Sequence, residues 1–117
     1  MKPKTKKEWD EFGKNLIDKV MDAVDEFCSM TWSGIGEPTY KCYESLAYSG
    51  LYELVQQFVE EEELPEDFLR LLDEMPDDIY KKYDRLLQRK LEKAAREEKV
   101  EHEEALRSVF GRRKTII

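Results

Sequence analysis

Apolar side chains recur along this chain at steps of three and four, the spacing that puts them on one face of a helix. The first such stripe is Trp9, Phe12, Leu16, Val20, Val24 and Phe27, widened by Ile17, Met21 and Cys28, and it predicts a core-facing helix over about residues 6 to 30. It stops at Ser33-Gly34-Ile35-Gly36-Glu37-Pro38, where two glycines end one helix and a proline suits the first turn of the next. A connection of this length joins antiparallel helices. The second helix, from about Thr39 to Glu63, has Tyr43, Ala47, Leu51, Leu54 and Phe58 as its inner stripe with Val55 and Val59 beside it, and Ser49-Gly50 marks a place where it divides or kinks.

Pro65 and Pro76 are each followed by a pair of acids, Glu66-Asp67 and Asp77-Asp78, so each opens a further helix with negative charge in its first turn. The short one carries Phe68, Leu69, Leu71 and Leu72; the last is apolar at Ile79, Tyr83, Leu86, Leu87, Leu91, Ala94 and Ala95. From Arg96 to Glu104 the stripe fails, with Val100 its sole aliphatic residue, before Ala105, Leu106, Val109 and Phe110 resume it. A helix continuing to Phe110 is about 50 Å long, more than its neighbours can cover. Its outer end is therefore expected to project into solvent and to pack on something else through Leu106, Val109 and Phe110, either a second copy of the chain or another protein.

These elements define an all-α fold: a small helical bundle with an N-terminal antiparallel hairpin and a long protruding C-terminal helix, in one domain over 1–117 with flexible basic tails at 1–5 and 111–117. Composition agrees, since 117 residues suit a single core, and 5 glycines, 4 prolines and 40% charged residues are the balance of a helical protein. No run approaches the roughly 20 apolar residues that cross a bilayer, and the lysines from Lys2 to Lys7 lead into an amphipathic segment. No membrane association and a cytoplasmic location are expected.

Charge changes the picture by its distribution. Between Glu53 and Asp78 stand eleven acids and one arginine, a net −10, whereas from Ile79 onward twelve bases face seven acids, a net +5, within a total of −7. Such a dipole steers partners of opposite sign.

Little in the chain has the form of a reaction centre. The hairpin sets Cys28 and Cys42 at about one level, where they can approach each other; in a reducing compartment such a pair is read as two buried thiols, and a structural zinc site wants four ligands. His102, the single histidine, stands among Glu98, Glu101, Glu103 and Glu104 and is expected to be solvated. Gly34-Ile35-Gly36 lacks the third glycine and preceding strand of a phosphate loop, and Glu60 to Glu63 lacks the alternating ligands and central glycine of a calcium loop. No cofactor, metal or catalytic residue is predicted, and with His102 the one available base a nucleophilic triad is excluded. Arg96 and His102, with five residues between them, resemble the Arg-x4-6-His signature of HEPN ribonucleases, in which both residues act on the RNA backbone. The likeness covers those two residues alone, and Glu97 stands where that family usually carries Asn, His or Asp.

The stronger candidate is a surface. Tyr40, Tyr48 and Tyr52 fall on one side of the second helix at multiples of four residues, with Trp32 in the preceding loop, and Tyr and Trp are the usual anchors of interfaces. Glu60, Glu61, Glu62 and Glu63 supply an acidic rim. The expected function is a non-enzymatic protein-interaction module, an adaptor or inhibitor. In its sharper form it is an acidic mimic of nucleic acid that occupies the basic groove of a nucleic-acid-handling enzyme, as small phage-borne inhibitors do. The alternative from another class is direct nucleic-acid binding through Arg107, Arg112, Arg113 and Lys114 at the basic end.

Overall fold

The computed structural model describes residues 2–116, with side chains as far as 108. Five α-helices follow one another: α1 (Lys6–Glu26), continued by a π-type turn (Phe27–Trp32), α2 (Thr39–Ala47), α3 (Leu51–Glu60), α4 (Asp67–Glu74) and α5 (Asp77–Ile116). Among the described residues there is no strand, and no helix is long and apolar enough to cross a membrane.

Local chemistry sets the boundaries. Thr5 caps α1 by accepting the Glu8 amide at 3.2 Å while the Glu8 carboxylate accepts the Lys4 amide at 3.1 Å, a reciprocal box that satisfies donors the first turn leaves open. Ahead of α1, Pro3 is buried and Lys2 Nζ reaches Glu74 at 3.0 Å. Ser49-Gly50 separates α2 from α3, so the predicted second helix is two. Gly50 has no side chain to cap α3, and α5 supplies the caps instead: the Leu51 amide donates to Asp84 Oδ1 at 2.8 Å and the Tyr52 amide to the Tyr80 hydroxyl at 3.2 Å. Asp84 and Tyr80 stand one turn apart on α5, and a carboxylate at a helix N-terminus is favoured by the macrodipole.

The predicted stripes form the core. Leu16, Val20 and Val24 of α1, Leu51, Leu54 and Phe58 of α3, and Tyr83, Leu87 and Leu91 of α5 are all but inaccessible to solvent. The α1 backbone comes close to α5 at Gly13, where the Tyr83 ring occupies the space a side chain would need. Lys82 Nζ donates to Asp10 Oδ1 at 2.8 Å, and the Tyr83 hydroxyl donates to the same oxygen at 2.6 Å. These two hydrogen bonds hold the Asp10 carboxyl at about 2, from an ordinary 3.8.

Two expectations change. Cys28 and Cys42 are joined in a disulfide with Cα atoms 5.6 Å apart, not present as separate thiols. The π-type turn and the first turn of α2 bring the two residues level, and both are fully buried. Nor does the charged stretch after Ala95 leave the bundle at once. α5 runs antiparallel to α2 as far as His102, whose ring is half-buried against Tyr40 with centroids 5.4 Å apart, so His102 is not a free solvated side chain. Past that level α5 continues to Ile116, and the molecule is accordingly 68 Å long but only 24 by 19 Å across.

Candidate interaction surfaces

Three surfaces emerge, and the expected row of Trp32, Tyr40, Tyr48 and Tyr52 does not form a single face. Tyr40 and Tyr48 do share the α2 face that borders α5, but the break at Gly50 sends Tyr52 onto α3. There it is 38% exposed beside the Tyr80 hydroxyl. Trp32 lies half-buried against Phe27 at 6.4 Å, and Phe27 in turn meets Phe58 at 6.1 Å, so Trp32 belongs to the core edge rather than to the tyrosine row. Its indole Nε1 is buried without a hydrogen-bond partner, and nothing else in the structure accounts for that donor.

The first surface is the groove between α2 and α5, about 290 Å³, floored by Ala47 and Ala95 and flanked by Glu44, Glu92, Arg96 and Lys99. Alanines make it a groove, because neither helix fills the space its partner leaves. Tyr48 stands at its edge, 92% exposed, held out by its place at the α2 C-terminus. Sequence reasoning found Tyr48 but not Gln88, Glu92, Ala95 or Lys99. Their spacing, carried on to His102 and Leu106, alternates four and three residues, and that heptad-like step was the available signal.

The second is the acidic end. Glu26 of α1 and Glu61 and Glu63 after α3 line a hollow of about 140 Å³ together with Phe27, Met30 and Phe58, and Met30 is 69% exposed. Glu60, Glu61, Glu62 and Glu63 are all exposed. Glu62 adopts φ 62°, closing a C-terminal motif in which the Glu63 amide donates to the Phe58 carbonyl at 2.8 Å. That conformation favours glycine, so a carboxylate is kept here against a backbone cost of roughly 1–3 kcal/mol. Ile35, in the loop after the π-type turn, adds another exposed aliphatic group. Met30 and Ile35 were not predicted; an isolated apolar residue near a loop carries no periodic signal.

The third is the projecting part of α5. Leu106 is 45% exposed, in agreement with an unpaired helix end, while the side chains of Val109 and Phe110 lie outside the described residues, as do those of Arg112, Arg113 and Lys114. Arg107 is exposed. Further back, Lys81, Lys82, Arg85 and Arg89 form a basic lane on α5. Arg96 and His102, the pair resembling the HEPN signature, point about 120° apart around α5. Arg96 lines the groove and His102 packs against Tyr40, so the two do not converge on one substrate position.

One polar node lies between these surfaces. The Tyr43 hydroxyl donates to Asp25 Oδ1 at 2.6 Å, and burial followed by that carboxylate pushes its pKa above the ordinary tyrosine range. Burial, then the charges of Glu101, Asp25 and Glu97, also raise Glu98. The node ties α1 to α2. Among the described residues no group of three or more His, Cys, Asp or Glu side chains is placed to hold a metal ion.

Compared with protein-family models, characterised proteins and solved structures, the chain matches none.

Proposed function

We propose that this protein is a non-enzymatic interaction module that presents its acidic end to a basic protein partner, as an adaptor or inhibitor. The observation that supports this most directly is the joint presence at that end of exposed Met30, half-buried Phe27 and the carboxylates of Glu26, Glu61, Glu62 and Glu63, with Glu62 held where a glycine would be easier. An apolar centre inside a charged rim is the layout of a protein interface. A basic partner meets low-dielectric contact at the centre and opposite charge around it, which raises the association rate and makes it salt-dependent. A nucleic-acid-handling enzyme with a basic groove is one such partner.

The test is capture of partners by the tagged full chain from nuclease-treated lysate, beside a Glu61→Lys, Glu62→Lys, Glu63→Lys variant. A stoichiometric protein retained by the wild type and lost by the variant supports the reading. A partner that ignores the reversal refutes the acidic surface, and recovery of nucleic acid in untreated lysate favours the basic end instead.

Location enters the same reading. Thiols stay reduced in the cytoplasm and disulfides persist in oxidising compartments. The bonded Cys28–Cys42 pair favours an oxidising setting over the cytoplasmic one expected from sequence. Counting free thiols in protein isolated under alkylating conditions decides between them.

A further inference from the structure

The α2/α5 face and the projecting end of α5 carry complementary features that no contact within one copy brings together. Tyr48 stands level with Gln88 on α5, since both line one end of the groove and Asp84, one turn earlier, caps α3. Leu106 lies on the same α5 stripe but eighteen residues along it, about 27 Å away. Both are exposed apolar groups, and their midpoint along α5 falls at Glu97, within one turn of Ala95 in the groove floor.

Charge is arranged about the same point. From Lys81 to Lys93 α5 has six bases and two acids, a net +4; from Arg96 to Glu104 it has five acids and two bases, a net −3. Within the groove Glu92 and Lys99 stand seven residues apart on either side of Ala95. A helix polarised in this way attracts a copy of itself only when the copy runs in the opposite direction.

We propose that two copies of this chain associate through this face about a two-fold axis near Ala95, with their α5 helices antiparallel. In that arrangement Glu92 of each copy opposes Lys99 of the other, and Gln88 and Arg89 lie level with the other copy's Glu103 and His102. Tyr48 packs beside the other copy's Leu106, and the projecting end of α5, unpartnered in one copy, lies along the second bundle. The small side chains of Ala47 and Ala95 let the helices approach at the crossing. The interface is isologous, so every contact occurs twice. It uses a different face from the acidic end and stands or falls separately from the proposed function.

The experiment is sedimentation equilibrium on the full chain with two charge reversals, Glu92→Lys and Lys99→Glu, both at exposed positions, with circular dichroism confirming that each remains helical. Wild type should sediment at twice the 14.0 kDa chain mass, more weakly as salt is raised. Each single variant sets like charges against each other twice and should lose at least about tenfold in association. An equimolar mixture of the two variants should regain it, because in a mixed dimer one copy carries lysine at both positions and the other glutamate at both, so each of the two contacts again pairs opposite charges. Tyr48→Ala should weaken association while leaving helicity unchanged. A wild-type chain that remains monomeric at about 100 µM overturns the proposal. So does a mixture that associates no better than its components.

Discussion

Replacing Gly13 by alanine sets two effects of opposite sign against each other. In mid-helix alanine is better than glycine by about 1 kcal/mol. At this position, however, a Cβ would sit 2.9 Å from Tyr83 Cζ and closer still to two other ring carbons. The ring cannot swing away, because it is 1% exposed and its hydroxyl is held 2.6 Å from Asp10 Oδ1 and 2.9 Å from the Asp10 carbonyl oxygen. Overpacking of this kind costs about 1–3 kcal/mol, and displacing the hydroxyl from its partners about 1 kcal/mol more. The clash therefore wins, with a net loss of about 1–3 kcal/mol. Urea unfolding followed by circular dichroism at fixed protein concentration should show a midpoint lower by about 0.5–1.5 M for a slope near 2 kcal/mol per M. The same substitution in a Tyr83→Leu background should instead raise the midpoint, since the ring is gone and only the helix preference remains. A rise in the wild-type background, or an equal fall in both, would refute the reasoning.

Asp10 makes folding sensitive to acid. Its carboxyl is held at about 2 in the folded chain against 3.8 ordinarily, so its contribution is complete above about pH 4 and fades as pH falls from there toward 2. Asp10→Asn should flatten the decline of the urea midpoint over that range, and an unchanged slope would remove Asp10 from the account. The disulfide closes a loop with a sequence separation of 14, worth about 3 kcal/mol. Reduction, or Cys28→Ser with Cys42→Ser, should lower stability by about that amount, and identical unfolding of the oxidised and reduced protein would show that the bond contributes nothing.

Periodicity made most of the fold legible. The stripes on residues 6 to 30, on the Tyr43 to Phe58 segment and on Ile79 to Ala95 each became buried faces, because an amphipathic helix has only one way to hide its apolar side. The acidic run Glu60 to Glu63 and the exposed Leu106 were likewise readable from sequence alone. What the tertiary structure decided depends on how helices are placed against one another, which no local pattern encodes. The Gly50 break is a full division because Asp84 and Tyr80, some thirty residues away, supply the caps that α3 lacks. Tyr52 is thereby turned away from Tyr40 and Tyr48, and Trp32 folds onto Phe27. Cys28 and Cys42 bond because the hairpin brings their Cα atoms to 5.6 Å. Ala47 and Ala95 look like ordinary core residues in sequence and become a groove only when α5 lies antiparallel to α2. A groove is empty space between elements, and empty space leaves no residue to read.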